Sequence, residues 1–519
     1  MASLERFYLT TAIDYANGDP HMGHAYEKIG ADAIARYRRL RGDDVWFVIG
    51  MDEHGQKVQQ EAEDQGRSPQ DWVDEVAGKF RHVWERLEIS NDDFIRTTEP
   101  RHQRAVNALI ERIDQNGDIY TARYEGYYCS GCEAFRKESE LVDGRCPLHP
   151  TREIISMEEE NYFFRLSEYR DRLVTHIEEN PEFIQPVSRR NEILGLLQGG
   201  LEDISASRSR VSWGVPFPGD PDHTVYVWFD ALPNYISAVG YPEDGFERRW
   251  PAALHVIGKD ITRFHCVIWP AMLMSAGIEL PETVWAHGFV MIAGGKLSKS
   301  EAKLLDLERL IDRHGPDAFR FILLREAAWD SDRDFPTVQA FLDQFDARYE
   351  ADLANDLGNL LNRTVSMIRK YRDGTIPVAG SEAGTDTSDG GVSTTLDTCS
   401  REALDRWGEA MDAYRLHDGI EAVMTIVREA NGYVDRSQPW KLARDPAATA
   451  ELDAVLGSLV RALVRTAVAL SPFMPGKCEE IWRRLGGVGA LPAPARIEER
   501  LPGQLPEVGT GVLFPRLES

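Results

Sequence analysis

Two short polar segments, far apart in the chain, combine residue types that can bind phosphate. The first is the HMGH segment at residues 21–24, in which His21 and His24 follow a strand-like run and begin a helical pattern. The second is a glycine-led loop far downstream that carries Lys296 and Lys299. A helix N-terminus attracts phosphate because its unpaired N–H groups and its dipole point toward the ligand. The two segments together therefore indicate chemistry on a phosphate group.

The residues around the HMGH segment follow the pattern of a βαβ unit. Residues 6–11 predict a strand, apolar residues at helical spacing from Ile29 to Leu40 predict a helix that ends at Gly42, and residues 45–49 predict a second strand. Further apolar runs predict buried strands at 225–229, 254–258 and 283–290. This order predicts an α/β fold with a Rossmann-like, doubly wound parallel sheet, whose ligands lie outside the carboxyl ends of the strands.

Length and composition narrow the class of protein. With 519 residues, of which 42% are hydrophobic, the chain is long enough for about two to four domains. It has no run of about 18 uncharged apolar residues and no signal-peptide layout at its start, which predicts a cytoplasmic protein that does not cross a membrane. The net charge of −26 disfavours non-specific binding to polyanions, so a nucleic-acid reader of this composition must concentrate its positive charge locally.

Changes in pattern along the chain predict five regions, of which the last is a helical bundle. In chain order they are the first half of the α/β domain at 1–116, an insertion at 117–224, the second half of the α/β domain at 225–300, a junction at 301–348 and an all-α domain at 349–519. Residues 374–400 are rich in Gly, Ser, Thr and Asp and poor in large apolar side chains, which predicts a flexible linker inside the last region.

The predicted insertion contains a cluster of metal-ligating residue types. Cys129 and Cys132 form one CxxC pair, and Cys146 and His149 form a CxxH pair after a short spacer. Three thiolates and one imidazole suit tetrahedral zinc, and four protein ligands would make the zinc structural. A redox CxxC motif and a disulfide are the alternatives, although no thioredoxin-like pattern surrounds the cluster.

The HMGH segment and the lysine loop, in this order and before a helical C-terminal half, resemble the two signatures of class I aminoacyl-tRNA synthetases. The longer run TAIDYANGDP at residues 11–20 resembles methionyl-tRNA synthetases specifically, and the similarity covers nearly the whole chain except one linker. The resemblance implies that L-methionine reacts with ATP to give methionyl-adenylate and pyrophosphate, and that methionine is then transferred to the 3′ end of tRNA(Met). It implies Mg2+ with ATP as a cofactor, and initiator and elongator tRNA as partners.

The resemblance also implies a set of residues that bind ATP and stabilise charge on its phosphates. They are His21, Gly23, His24, Asp260, Lys296 and Lys299. Within this set, Gly23 admits the adenine ring, Asp260 contacts the ribose, Lys299 is the main phosphate ligand, and the two histidines and two lysines are the catalytic donors. Leu297 stands where the commonest family motif has Met, a volume-conserving change that we expect to be tolerated.

Recognition of methionine needs an anion for the ammonium group and an apolar slot for the thioether. Asp52, at the end of the second predicted strand, matches the ammonium-binding carboxylate of the family. The other residues that match the methionine pocket are Ala12, Ile13, Tyr15, Trp228, Ala231, Leu232, Tyr235, Ile261 and His265. Contacts of sulfur with aromatic rings are favourable, which explains why such a pocket is rich in rings. The family often has Pro at the positions of Asp14 and Leu232, so the resemblance does not define the shape of the pocket beside these two residues.

The resemblance implies that the C-terminal bundle reads the anticodon and that region 301–348 contacts the tRNA stem. Asn359 and Arg363 are four residues apart and share a helix face, and Trp440 follows Pro439 at a helix start. All three match anticodon-contacting positions, and their side chains suit hydrogen bonding and stacking with splayed bases. The alternative for Trp440 is a buried core residue. The chain ends soon after the bundle without an appended oligonucleotide-binding domain, which favours a monomer.

Other functions share parts of this pattern. Synthetases for valine, isoleucine and leucine need a larger editing insertion, because a single methylene discriminates poorly between substrates. A cysteine enzyme would place metal ligands near the HMGH segment, where no cysteine occurs. A small-molecule nucleotidyltransferase would not need the helical C-terminal half, and a non-enzymatic tRNA-binding relative would not need both signatures intact.

Overall fold

The computed structural model describes residues 5–129, 134–136, 141–147, 152–295, 303–377, 393–507 and 511–517. The strands of this part of the chain are β1 (Arg6–Thr11), β2 (Asp14–Tyr15), β3 (Asp44–Asp52), β4 (Asp93–Arg96), β5 (Ile119–Cys129), β6 (Ala134–Arg136), β7 (Ile154–Phe164), β8 (Ile184–Gln185), β9 (Ile204–Ser205), β10 (Ser207–Arg208), β11 (Pro216–Phe217), β12 (Asp220–Val225), β13 (Leu254–Gly258), β14 (Val284–His287), β15 (Val290–Ile292) and β16 (Arg333–Phe335).

The helices alternate with strands in the N-terminal half and follow one another directly in the C-terminal half. They are α1 (Met22–Arg41), α2 (Gln56–Asp64), α3 (Pro69–Arg86), α4 (Pro100–Gln115), α5 (Arg170–Glu179), α6 (Val187–Gln198), α7 (Val227–Ala231), α8 (Asn234–Ser237), α9 (Trp269–Ala276), α10 (Leu307–His314), α11 (Pro316–Glu326), α12 (Val338–Arg348), α13 (Asn359–Arg372), α14 (Ser393–Asp412), α15 (Leu416–Ser437), α16 (Pro439–Leu442), α17 (Thr449–Leu470) and α18 (Pro475–Arg484).

A seven-stranded sheet forms the centre of the N-terminal half. Its strands run in the order β3, β1, β13, β14 and β8, with β2 and β4 also paired to β3, and every pairing is parallel. The chain leaves β1 toward β3 on one side and returns to β13 on the other, so the strand order reverses at β1. Ligands of such sheets bind in the crevice at this reversal. The predicted doubly wound parallel fold is therefore confirmed.

Two local predictions in this region differ from the structure. The apolar run at 225–229 is not a strand, because β12 ends at Val225 and α7 begins at Val227. A short apolar run cannot separate a buried strand from a buried helix by its pattern alone. The predicted strand at 283–290 is divided into β14 and β15, and β8, from within the range 117–224, forms the edge strand beside β14.

The insertion is built on a separate antiparallel sheet in the order β6, β5, β7 and β9. Strands β5 and β7 pair along their whole length, from Ile119 opposite Phe164 to Cys129 opposite Ile154. Cys129 therefore lies at the opposite end of this two-stranded ribbon from Ile119.

The C-terminal half is helical, as predicted, and its helix α14 begins inside the predicted linker. Residues 393–400 belong to α14, so the linker prediction of 374–400 is wrong at its C-terminal end. Asp397 on this helix forms ion pairs with Arg461 and Arg465 of α17, and Leu396 is buried. Sequence composition could not show these non-local contacts. Within the described residues, no helix is long and apolar enough to cross a membrane.

A buried arginine joins the two halves of the molecule. Arg320 on α11 pairs with Asp32 of α1 at 2.6 Å, and both side chains are completely inaccessible to solvent. The same guanidinium donates to the carbonyl oxygens of Leu87 (3.1 Å) and Phe473 (3.0 Å). Removing one partner of a buried ion pair is strongly destabilising, so this contact holds α1 at a defined position against the bundle.

Candidate active site

The HMGH segment caps the N-terminus of α1 through reciprocal hydrogen bonds. The backbone N–H of Gly23 donates to Nδ1 of His21 (3.2 Å), and the N–H of His21 donates to Nδ1 of His24 (3.3 Å). The two rings stack with centroids 3.7 Å apart. A Cβ atom at Gly23 would lie 3.1 Å from Cε1 of His21, so the glycine leaves room for this folded arrangement.

The same geometry defines the protonation of the two imidazoles. Burial lowers the pKa of His21, and burial together with the nearby His21 and Lys28 lowers the pKa of His24 well below its usual value. Both rings are therefore neutral at neutral pH. Because each Nδ1 accepts a hydrogen bond, each ring carries its proton on Nε2. The N-terminus of α1 thus presents two Nε2–H hydrogen-bond donors, and neither ring has to take up a proton before it can donate.

The described residues stop at Gly295, just before the lysine loop, so Lys296 and Lys299 lie outside them. Strand β14 ends at His287, whose Nε2 lies 3.2 Å from Oε2 of Glu27 on α1. The following strand β15 ends at Ile292, just before the loop. The strands that precede the loop therefore lie beside the helix that begins with HMGH.

The predicted ribose contact lies at the same edge. Asp260 follows β13, and β13 is the direct neighbour of β1, which leads into the HMGH segment. Burial raises the pKa of the Asp260 carboxyl. The neighbouring Lys259 forms an ion pair with Asp332.

A cavity of about 230 Å3 opens beside these elements. All ten residues predicted to bind methionine line it, together with three that the sequence did not indicate. The lining is Ala12, Ile13, Tyr15, Asp52, Lys57, Val227, Trp228, Ala231, Leu232, Asn234, Tyr235, Ile261 and His265. The three additions are Lys57, Val227 and Asn234. Spacing is the signal that could have found Asn234, because it follows Ala231 by three residues and begins the next short helix, α8.

Aromatic and imidazole rings form one wall of the cavity. The indole of Trp228 stacks on Phe264 with centroids 3.6 Å apart. The hydroxyl of Tyr235 lies 2.6 Å from Nε2 of His265, and Nδ1 of His265 lies 3.1 Å from the carbonyl oxygen of Ile261. Burial lowers the pKa of His265 to about 4. The ring is therefore neutral, with Nδ1–H donating to Ile261 and Nε2 accepting from Tyr235, and this wall carries no charge.

Asp52 brings a carboxylate to this largely apolar cavity from the end of β3. Its backbone carbonyl accepts from the N–H of Ala16 (2.9 Å). The adjacent Glu53 is turned to other partners: its N–H donates to Thr97 Oγ1 (2.9 Å), and its carboxylate pairs with Arg96 at 2.6 Å. Only the first of the two consecutive carboxylates therefore lines the cavity, where an anion attracts an ammonium group.

The two positions at which the sequence departs from the family pattern are both buried. Leu232 lines the cavity, and Asp14 pairs with the fully buried Lys28 at 2.8 Å. Burial is the main cause that raises the pKa of Asp14 to about 7, while Lys28 opposes the shift. Lys28 also donates to the carbonyl oxygen of Ala12 at 2.9 Å, so an ion pair holds the cavity-lining segment 12–15 against α1.

Only half of the predicted metal ligands lie in the described part of the chain. Cys129, at the end of β5, and Cys146 are both buried. Cys132 and His149 lie outside the described residues. Within those residues, no group of three or more His, Cys, Asp or Glu side chains could hold a metal ion. The zinc site therefore stays a prediction.

The predicted anticodon residues lie on neighbouring helices of the bundle. Asn359 is the first residue of α13, and Arg363, one turn later, pairs with Asp435 of α15 at 2.9 Å. Trp440 lies on α16, directly after α15, and 37% of its surface is exposed. A core tryptophan of the same bundle, Trp407, is only 3% exposed. Trp440 is therefore not a core residue.

Comparisons with known proteins agree with this arrangement. The profile of the family described as tRNA synthetases class I (M) matches residues 7–154 and 149–365, and that of the anticodon-binding domain of tRNA ligase matches residues 400–501. The methionine–tRNA ligase of Streptomyces coelicolor is 42% identical over 99% of this chain and 97% of its own length. That of Caldanaerobacter subterraneus is 42% identical over 99% of this chain and 79% of its own length.

Solved structures show the same similarity. The Mycobacterium tuberculosis methionyl-tRNA synthetase in complex with methionyl-adenylate has a TM-score of 0.92 and 41% identity, covering 99% of this chain and 100% of that one. Its apo form has a TM-score of 0.85 and 37% identity, covering 99% of each chain. The parallel sheet with its HMGH-capped helix, the helical C-terminal half and these matches show that the chain belongs to the methionyl-tRNA synthetases, the class I enzymes that ligate methionine to tRNA.

Proposed function

We propose that this chain activates L-methionine with ATP in the cavity at the carboxyl edge of the parallel sheet, and then transfers methionine to the 3′ end of tRNA(Met). The observation that carries the proposal is the convergence of ten residues, from four separate segments of the chain, on one cavity beside the HMGH helix. The similar enzyme of M. tuberculosis is described as a complex with methionyl-adenylate, the product of the first step.

In the first step, the substrate is held by charge at one end and by rings at the other. The carboxylate of Asp52 binds the ammonium group of methionine. The thioether lies among Trp228, Tyr235 and His265, where soft contacts with aromatic rings favour sulfur. Because His265 is neutral and already hydrogen-bonded to Tyr235, it can border an apolar side chain without an unpaired charge.

The reaction itself is a displacement at phosphorus. A carboxylate oxygen of methionine forms a bond to the α-phosphorus of ATP. The bond between that phosphorus and the oxygen that bridges the α- and β-phosphorus atoms breaks, and pyrophosphate is released. The Nε2–H groups of His21 and His24, with Lys296 and Lys299, donate to the phosphate oxygens as negative charge shifts between them. Gly23 and Asp260 hold the adenosine, and Mg2+ accompanies the ATP.

The amino-acid dependence of ATP–pyrophosphate exchange tests this proposal. With each of the twenty amino acids in turn, we expect exchange with methionine far above that with the other nineteen. The reason is that the cavity combines one carboxylate with an uncharged, ring-lined wall. Stronger exchange with isoleucine, valine or cysteine would contradict the assignment, and no exchange with any amino acid would favour a non-enzymatic tRNA-binding protein.

In the second step, the bundle binds the tRNA. Asn359, Arg363 and Trp440 contact anticodon bases, initiator and elongator tRNA(Met) are both substrates, and residues 301–348 contact the tRNA stem. We also propose a monomer that works in the cytoplasm. Light scattering on purified protein tests the monomer, and a mass of twice the chain's 58.6 kDa would contradict it.

Trp440→Ala is expected to separate the two steps. Loss of a base-stacking indole removes about 1–3 kcal/mol of RNA affinity, or roughly 5- to 150-fold in aminoacylation efficiency. Exchange needs no tRNA and should be unchanged. The control is Trp407→Ala, because truncating this buried tryptophan should cost about 3–5 kcal/mol of stability and impair both assays. Equal loss of exchange and charging in Trp440→Ala, with a lowered melting temperature, would contradict the anticodon role.

We further propose that Cys129, Cys132, Cys146 and His149 hold one structural zinc ion. Metal analysis of the purified protein is expected to find one zinc per chain. Cys146→Ser should abolish zinc binding and lower the stability of the insertion, because a thiolate ligand is lost. The matched control is Cys478→Ser, which replaces another buried thiol far from the cluster and should leave the zinc content unchanged. Fully active protein without zinc would contradict the proposal.

A further inference from the structure

A fully buried carboxylate joins two histidines behind the candidate methionine cavity. Oδ2 of Asp230 lies 2.6 Å from Nδ1 of His54, and Oδ1 lies 2.9 Å from Nε2 of His102. The side chains of Asp230 and His102 are inaccessible to solvent, and that of His54 is 4% exposed. None of the three lines the cavity. Hydrogen bonds to a buried ionised carboxylate are strong, and losing one leaves part of the charge uncompensated.

The bond to His54 connects the two segments that present the most distinctive groups of the cavity. His54 follows Asp52 by two residues, in the turn after β3, and Asp230 follows Trp228 by two residues on α7. The bond therefore spans 176 positions of sequence and joins the turn that directly follows Asp52, the last residue of β3, to the helix that carries the indole.

Neither of these segments is held firmly by regular secondary structure alone. Helix α7 has only five residues, and a helix of one or two turns is not stable without tertiary contacts. The turn after β3 is anchored elsewhere by Gly55, whose N–H donates to the carbonyl oxygen of Trp213 (3.1 Å), and by edge contact of the His54 ring with Trp213. Asp230 thus adds a short, charged link between the two segments, beside the hydrogen bonds that hold the turn to Trp213 and Thr97.

The bond between Asp230 and His102 does not involve the turn after β3. His102 belongs to α4, none of whose residues lines the cavity, and its Nδ1 lies 3.1 Å from Oγ of Ser237. The two histidines bind the same carboxylate with similar geometry and burial. They differ in that only His54 is close in sequence to a cavity-lining residue, so each serves as the control for the other.

We propose that the hydrogen bond between His54 and Asp230 sets the position of Asp52 relative to Trp228 and thereby determines affinity for methionine. His54 and Asp230 are positioning residues, since neither contacts the substrate. The inference rests on the proposed function of the cavity as the methionine site. Because neither His54 nor Asp230 belongs to the HMGH helix, we expect binding of ATP not to depend on the link.

Two substitutions at His54 separate the hydrogen bond from the volume of the ring. His54→Phe keeps a ring of similar size against Trp213 but has no donor. His54→Asn loses volume but places an amide N–H near the position of Nδ1. In methionine-dependent ATP–pyrophosphate exchange, we expect His54→Phe to raise the KM for methionine by about 10- to 100-fold, as a displacement of about 1 Å does to a bound substrate. The KM for ATP should stay within about twofold, and His54→Asn should restore most of the methionine affinity.

His102→Phe is the control, measured with the same assay and by thermal unfolding. It removes a bond to the same carboxylate, so we expect a lowered melting temperature with little change in the KM for methionine. If His54→Phe does not fold, the isosteric Asp230→Asn replaces it, with the same expected rise in the KM for methionine.

Three results would overturn the inference. They are an unchanged KM for methionine in His54→Phe, an equal rise in His102→Phe, or a KM for methionine in His54→Asn as high as in His54→Phe. Failure of the proposed function gives a different result, because the unsubstituted protein would then show no methionine-dependent exchange.

Discussion

Asp52→Asn is expected to lower kcat/KM for methionine in ATP–pyrophosphate exchange by about 10²–10⁴-fold. In the proposed complex, the carboxylate of Asp52 and the ammonium group of methionine form an ion pair inside a largely apolar cavity. Removing one partner of such a pair costs about 3–5 kcal/mol, because the remaining charge is left uncompensated. The amide of Asn keeps the size of the side chain, so the loss would report charge and not shape.

The measurement compares the kinetic constants of the two substrates. We expect the KM for methionine to carry most of the change, and the KM for ATP to remain near that of the unsubstituted protein. Asp64→Asn is the control, because it removes a carboxylate from the exposed end of α2, beyond the cavity. A kcat/KM for methionine in Asp52→Asn that equals that of Asp64→Asn would exclude the proposed ammonium contact.

Lys299→Ala is expected to slow adenylate formation by roughly 10²–10³-fold, since one donor to a developing charge contributes about 2.7–4 kcal/mol. The affinity for methionine should change by no more than a few fold, because the ammonium and thioether contacts lie elsewhere. The effect should therefore appear in kcat and in single-turnover rates.

Lys303→Ala is a matched control for Lys299→Ala. Lys303 lies four residues downstream and is exposed, so its substitution removes the same charge from the same part of the chain. General electrostatic attraction of ATP would make the two variants equally slow. An unchanged rate in Lys299→Ala, or the same loss in both variants, would show that the lysine loop has no specific role in the chemistry.

Local patterns predicted the elements around the nucleotide site correctly. The strand at 6–11, the helix that ends at Gly42 and the strand at 254–258 appear as β1, α1 and β13. Strands and helices of this kind are defined by periodicity over neighbouring residues, which a sequence displays directly. The pattern failed at 225–229, where a largely buried apolar run forms the end of β12 and the start of α7.

The resemblance predicted ten of the thirteen residues that line the candidate cavity, and it did not predict Lys57, Val227 and Asn234. The ten predicted residues line one cavity, which is a geometric result and leaves their roles as proposals. Lys57 and Val227 come from elements whose orientation depends on neighbouring segments. The charged side chain of Lys57 does not mark it as part of a pocket for an apolar amino acid, and Val227 is one of several apolar residues in its run, so its type alone does not single it out.

The amino-acid sequence was sufficient to predict the α/β class, the order of the two signatures, the helical C-terminal half and the family to which the chain belongs. These properties depend on residues that are close along the chain or on motifs that can be compared directly. The pairs of polar groups that meet in the interior became apparent only from the three-dimensional arrangement of the elements. Examples are Asp14 with Lys28, Asp32 with Arg320, and His54 with Asp230. The physical reason is that burial and pairing depend on contacts between distant segments, and these contacts determine pKa values and positions that no local pattern encodes.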